Sequence, residues 1–243
     1  MRVIVTEDYE QMSKRSANIV AAQVFIKPDS VLGLATGSTV LGLYNELIKM
    51  YKEKDLDFKE TKTFNLDEYI GLSKDNPNSY YFYMMNNFFK FINIDESNIN
   101  IPDGKALDIK KECEEYERKI KEENGIDLQI LGIGRNGHIG FNEPDVKFEA
   151  TTHKVSLDEK TVKDNSRFFS DINKVPRYAI SMGIKTIMLT KKIILLANGK
   201  EKAKAINKAI NGPITPDTPA SILQLHQDVT FIIDREASYY LDK

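Results

Sequence analysis

Short apolar, β-branched runs alternate along the whole chain with longer stretches in which apolar residues recur every three or four positions. The short runs predict strands at 2–6, 31–36, 61–66, 98–101, 127–133, 154–157, 178–182, 192–197 and 229–233. The longer ones predict helices at 8–26, 39–52, 79–91, 109–123 and 200–210. In the first helix Met12, Ala17, Ile19, Val20 and Val24 are spaced to line one face. Strand–helix alternation of this kind implies an α/β fold, a mostly parallel sheet covered by helices on both faces. No internal repeat, low-complexity tract or Pro/Ser-rich linker divides the chain, so 1–243 is expected to be one domain. Residues 136–176 carry weaker periodicity and are expected to form a mobile flap over the site.

At 243 residues the chain can bury a substantial core. Its 34 basic and 36 acidic residues leave a formal charge of -2. That balance offers nothing to a polyanion, so no nucleic-acid partner is expected. No apolar run approaches the roughly 18 residues of a membrane span, so no membrane partner is expected either. The opening Met-Arg-Val-Ile-Val-Thr-Glu-Asp reads as a strand rather than a signal peptide, which makes the cytoplasm the expected compartment. Cys113, the single cysteine, lies in Lys-Glu-Cys-Glu-Glu. It can form no internal disulfide, and acidic surroundings do not activate a thiol.

Four segments carry candidate chemistry. In Leu131-Gly-Ile-Gly-Arg-Asn-Gly-His-Ile-Gly-Phe-Asn-Glu-Pro144 a strand runs into four glycines interleaved with Asn136, His138, Asn142 and Glu143. Glycines permit tight turns and close approach of a ligand, and loops at the carboxyl ends of parallel strands are where α/β sheets place their chemistry. The Gly132-x-Gly134-x-x-Gly137 spacing matches a dinucleotide fingerprint, but Gly140 and Pro144 leave no room for the helix that motif must open. The five-residue spacing of His138 and Glu143 does not resemble helical zinc spacing. With three histidines and one cysteine in the chain, no metal site is expected. His138 reads as an acid–base group with Glu143 orienting it.

In Leu34-Ala-Thr-Gly37-Ser38-Thr39 a strand meets a helix start whose free N–H groups could hold a phosphate, although Ser38 or Thr39 could equally act as a helix cap. In Thr63-Phe-Asn-Leu-Asp67-Glu68-Tyr69 two carboxylates end a strand. Neighbours on a strand point to opposite faces, so unless the chain turns there they should not share one role. A carboxylate at that edge suits a general base, and the alternative is an N-cap or turn aspartate. Arg167 in Asn165-Ser-Arg-Phe-Phe169 and Lys202 in Gly199-Lys-Glu-Lys202 supply cations that are either solvated or, with Gly37–Thr39, closed around one phosphate.

Together with Leu223-Gln-Leu-His226, these segments resemble the glucosamine-6-phosphate deaminase family over essentially the whole chain. The resemblance implies a doubly wound, Rossmann-like α/β sheet and conversion of glucosamine 6-phosphate to fructose 6-phosphate and ammonia, with neither metal nor organic cofactor. The partner it implies is a small-molecule phosphosugar, and both a monomer and a homo-oligomer are compatible with the sequence. By resemblance, His138 handles the ring-opening protons with Glu143 and Asn136, and Asp67 moves a proton from C2 to C1. Gly37, Ser38, Thr39, Arg167 and Lys202 hold the phosphate. Many members carry aspartate where this chain has Asn136; an amide can orient its neighbours but cannot stabilise an imidazolium as a charge would. Some members are hexamers activated by N-acetylglucosamine 6-phosphate, with basic residues near the positions of His153 and Val155 and a tail running past the equivalent of Lys243. Without that charge and that tail, no such activation is expected here.

Two other readings compete. A 6-phosphogluconolactonase would share the fold and a phosphosugar substrate, but would need no base over C2. A phosphosugar-sensing regulator module would carry a helix-turn-helix segment and a basic face, and neither is visible.

Overall fold

The computed structural model describes residues 1–53, 56–157, 162–163, 169, 171 and 174–241. The chain opens with β1 (Arg2–Thr6), α1 (Tyr9–Ile26), β2 (Val31–Leu34), α2 (Ser38–Lys52) and β3 (Lys62–Asn65). It continues through β4 (Asp67–Tyr69), α3 (Tyr80–Asn87), β5 (Ile99–Asn100), α4 (Ile109–Glu122) and β6 (Leu128–Leu131). Then follow β7 (His153–Ser156), β8 (Tyr178–Ser181), α5 (Ile184–Met188), β9 (Ile193–Ala197), α6 (Ala203–Asn211) and β10 (Val229–Asp234).

Seven strands form one parallel sheet in the order β1-β10-β9-β6-β2-β3-β5. Strands β2, β6, β9 and β10 are buried at every position, which is why they read as apolar runs rather than as alternating patterns. From β2 the chain works outward through β3 to β5, then returns to the other side of β2 at β6. The order reverses between β2 and β6, and the loops leaving their carboxyl ends frame the crevice such a reversal creates.

Gly33, in the middle of β2, sits beside a buried Gln129. A Cβ on Gly33 would lie 2.0 Å from Gln129 Oε1, so only glycine leaves space for that carboxamide. At the opposite end of the sheet from the crevice, the buried Asp127 carboxylate accepts from Lys27 at 2.6 Å, Lys191 at 2.7 Å and the Val31 N–H at 2.8 Å. Burial alone would raise its pKa, but the two lysines and the N–H hold it below the ordinary value.

The strands expected at 154–157 and 178–182 do not join the parallel sheet. They form an antiparallel pair, β7 with β8, and β8 pairs on its other side with β4. The chain crosses to this second sheet at Leu66, whose N–H still donates to Leu34 of the large sheet while its carbonyl accepts from Met182. Strand β4 was not expected because Asp67-Glu-Tyr69 offers two carboxylates and no apolar alternation. Beneath the small sheet a second apolar cluster gathers Tyr69, Phe141, Leu157, Val162, Val175 and Ala179.

Several expected elements are shorter than the pattern suggested, among them the strands at 31–36 and 127–133, which keep Val31–Leu34 and Leu128–Leu131. The helix at 79–91 stops at Asn87, because Phe88 leaves helical geometry (φ -146°) and stacks its ring on Tyr44 at 4.8 Å, before a 3-10 turn over Phe89–Phe91. The segment at 200–210 opens as a 3-10 turn, Lys200–Lys202, before α6. The strand at 98–101 keeps only the two residues of β5. Helix α5 and the 3-10 helix Pro219–Leu225 were not expected. Within 136–176, the Phe141 N–H donates to Ser181 Oγ, and Asn142 Nδ2 donates to the Ile139 and Met182 carbonyls. Arg167 lies outside the described residues.

Candidate active site

The loop after β6 turns at Gly134–Gly137, where the Gly137 N–H donates to the Gly134 carbonyl and the Gly134 N–H donates to the His138 carbonyl. Gly137 has a φ of +91°, which glycine adopts without strain. Gly134 is required for a different reason: a Cβ there would fall 2.3–2.5 Å from the His138 ring, so the imidazole lies directly on the glycine. Asn136 Nδ2 donates to Glu143 Oε2 at 2.7 Å, and His138 Nδ1 meets the same oxygen at 3.2 Å. The His138 N–H in turn donates to Asn136 Oδ1. A carboxylate only accepts, so Nδ1 carries a proton toward Glu143 and Nε2 is the ring nitrogen left to meet a ligand. Of the loop residues singled out in the sequence, the structure thus brings together Asn136, His138 and Glu143, while Asn142 donates to the Ile139 and Met182 carbonyls.

Asp67 enters the same crevice from β4. A Cβ on Gly140 would lie 3.7 Å from Asp67 Oδ2 and 3.1 Å from Ser181 Oγ, so the positive φ of Gly140 (+57°) seats the loop against the acid. Asp67 is buried, and its pKa is pushed up to about 8, first by burial and then by the Glu68 charge. Glu68 points the other way. Its carboxylate accepts from the Tyr69, Tyr80 and Tyr81 N–H groups at 2.8–2.9 Å, tying β4 to the first turn of α3. The backbone N–H groups are thus held by Glu68, a role not expected of it, rather than by the aspartate.

Helix α3 brings residues the sequence reading overlooked. Tyr80 lies with its hydroxyl 3.4 Å from that of Tyr69, while Tyr83 donates to the Gly37 carbonyl at 2.8 Å. The rings of Tyr80 and Phe141 flank Tyr69, and Phe169 meets its edge at 6.1 Å. The signal was a Tyr-Tyr-Phe-Tyr run directly after the Ser79 cap, which reads equally well as an ordinary apolar face.

At the start of α2, Gly37 has a φ of +108° and no side chain caps the helix. Helices α1, α3 and α4 are capped by Asp8, Ser79 and Asp108. The capping alternative for Ser38 and Thr39 is thereby set aside, and the first-turn N–H groups of a 15-residue helix face the crevice uncapped. Ser38 is exposed, and Thr39 Oγ1 donates to Asn198 Oδ1 at 2.9 Å. Lys202 ends the 3-10 turn after β9, its N–H donating to the Gly199 carbonyl. Arg135 reaches that turn from the loop after β6, 3.8 Å from Glu201. His226 has a structural place: it donates from Nε2 to the Thr190 carbonyl and accepts the Asp228 N–H at Nδ1. Cys113 is buried, with its thiol pushed up to about 11, chiefly by burial.

Residues 7–232 match the family model described as glucosamine-6-phosphate isomerases/6-phosphogluconolactonase. The chain belongs to this family. Within the isomerase/lactonase family it is 62% identical over 242 residues to a glucosamine-6-phosphate deaminase of Clostridium botulinum (strain Kyoto / Type A2), covering 100% of this chain and 99% of that one. A deaminase of Clostridium acetobutylicum is 60% identical over 241 residues, with 99% and 100% of the two chains covered. Among solved structures, a monomeric glucosamine-6-phosphate deaminase superimposes with a TM-score of 0.96 at 49% identity, over 98% of this chain and 99% of that one. The 6-phosphogluconolactonase of Trypanosoma cruzi gives a TM-score of 0.77 at 20% identity over 100% and 97% of the two chains, a likeness of fold alone.

Proposed function

We propose that the chain converts glucosamine 6-phosphate to fructose 6-phosphate and ammonia, with Asp67, His138, Glu143 and Asn136 as its working groups. The observation that carries this reading is a buried carboxyl, elevated in pKa, in one crevice with an imidazole that Glu143 holds through Nδ1, leaving Nε2 to meet a ligand. His138 Nε2 takes the proton from the C1 hydroxyl and delivers it to the ring oxygen, opening the pyranose to the aldehyde. Glu143 stabilises the ring through Nδ1, and Asn136 holds Glu143 in place. Asp67 then takes the C2 proton while the C2 ammonium gives a proton to the C1 oxygen, forming an enol amine, and Asp67 returns its proton at C1, leaving an iminium at C2. Water adds to that carbon, ammonia leaves, and the ketose remains. One carboxyl between adjacent carbons can serve both transfers, as base and then as conjugate acid.

In this reading the phosphate rests on Gly37, Ser38 and Thr39 at the α2 terminus, with Lys202 and Arg167 as counter-charges. Anchoring the remote phosphate holds C1 and C2 at Asp67 and directs binding energy toward the reacting end. Among the described residues no helix is long and apolar enough to cross a membrane; we assign the enzyme to the cytoplasm on the location of its substrate class. Addition of N-acetylglucosamine 6-phosphate at subsaturating substrate is expected to leave its velocity unchanged.

The test is ammonia release from glucosamine 6-phosphate by the wild type and by Asp67→Asn. Release that the substitution abolishes supports the reaction and the base. No release from folded wild type, with hydrolysis of 6-phosphogluconolactone instead, would replace the reading with the lactonase one.

A further inference from the structure

We infer that Asn198 is a positioning residue whose carboxamide turns over when phosphate binds, converting Thr39 from a donor to Asn198 into a donor to the phosphate. This inference rests on the proposed placement of the phosphate at the start of α2. A threonine hydroxyl has one proton. In the structure that proton is directed at Asn198 Oδ1, 2.9 Å away. A phosphate oxygen only accepts, so Thr39 cannot serve both partners at once. A carboxamide resolves the conflict because it carries an acceptor and two donors on one pivot. Half a turn about the last torsion puts Nδ2 where Oδ1 stood, and such terminal torsions are soft. Nδ2 then donates to Thr39 Oγ1, and the hydroxyl proton is released toward the phosphate.

The backbone around Asn198 is held so that only its side chain need move. The next residue, Gly199, has a φ of +86°, and its N–H donates to both oxygens of Asp234, at 3.1 and 3.0 Å. Asp234 is 6% exposed and also accepts the Ala237 N–H at 2.8 Å. The Gly199 carbonyl receives the Lys202 N–H, so one anchor fixes both the carboxamide and the turn that bears the lysine. The relay thereby joins the two sides of the phosphate site, the helix end after β2 and the cationic turn after β9.

The experiment measures inorganic phosphate binding by calorimetry, and KM and kcat for glucosamine 6-phosphate, for Asn198→Asp, Asn198→Ser, Thr39→Val and the Thr39→Val/Asn198→Asp double variant. Aspartate keeps the shape and the acceptor but cannot donate, whereas serine is shorter yet keeps both functions. The relay predicts that Asn198→Asp weakens phosphate by about tenfold or more, the loss falling on KM rather than kcat. Asn198→Ser should bind phosphate more tightly than Asn198→Asp. Because Thr39→Val already removes the donor, Asn198→Asp should cost less in that background, where only its charge acts. Equal losses in both backgrounds, or serine no better than aspartate, would overturn the relay while leaving the phosphate site intact. Wild type that binds no phosphate, or phosphate that does not compete with substrate, would overturn the phosphate placement itself.

Discussion

Glu68 accepts three backbone N–H groups, whereas the carboxyl of its neighbour Asp67 has no hydrogen-bond partner among the described residues. The two acids occupy adjacent positions on a three-residue strand, so the alternation of a strand separates them into a fastener for α3 and a reactive group facing the crevice.

The burial of Asp67 predicts a pH dependence. A general base must be ionised, and with a free-enzyme pKa of about 8, kcat/KM is expected to climb with pH up to that value. A protonated amine at C2 of bound substrate favours the carboxylate, so the corresponding limb in kcat should sit at least one unit lower. Initial rates between pH 5 and 9 check this; coincident limbs would contradict it.

Replacing Asp67 separates activity from stability. Asp67→Asn should lose on the order of a thousandfold or more in kcat, the range for loss of a general base. Its effect on stability has the opposite sign. The folded carboxyl titrates near 8 and the unfolded one near 3.8, so between those values the folded form holds a proton that the unfolded form has lost. Wild-type stability therefore falls as pH rises from about 4 to about 8 and then levels. The neutral amide escapes this penalty, so Tm of the variant should exceed that of wild type at pH 9, with the gain vanishing near pH 4. Thermal melts across that range are the measurement.

Gly134→Ala tests the seat of the imidazole. The added methyl falls within 2.5 Å of the His138 ring, which must swing away from Glu143. A displacement of about 1 Å in a catalytic group can cost ~100-fold, so kcat should drop by that order while the melting curve stays cooperative. Activity within twofold of wild type would show that the ring does not depend on that contact.

Glu68→Ala leaves the Tyr69, Tyr80 and Tyr81 N–H groups without their acceptor. A loss of about 2–3 kcal/mol is expected, or a Tm lower by roughly 5–10 °C for a domain of this size. Because the Glu68 charge contributes to the elevation of Asp67, the acid limb of kcat/KM should move to lower pH in the same variant. A limb that stays in place would assign the elevation to burial alone.

The parallel sheet was legible because its strands are buried on both faces and therefore uniformly apolar, as in Ile193–Ala197. The loop from Gly132 to Pro144 was legible because glycines and titratable groups rarely crowd together without a ligand to approach. The small sheet was not. Its strand β4 is three residues long, and its partner β8 lies more than a hundred residues away, so local periodicity carries no trace of the pairing. Asn198 escaped notice for a related reason: an asparagine after a strand is ordinary turn chemistry until Thr39, 159 residues distant, is seen to point at it. Tyr80 and Tyr83 read as apolar helix positions, and only their hydroxyl partners show otherwise.

Gly33 and Gln129 fill one volume between them, since the carboxamide occupies the place of the missing Cβ. Neither position is free to drift by itself. Gly33→Ala alone should be rejected in a selection for folded enzyme, yet tolerated once Gln129 has been shortened to alanine or serine. Descendants of this chain are thus expected to change the two positions in a set order, Gln129 before Gly33, a constraint on its history written into the centre of the sheet rather than into its chemistry.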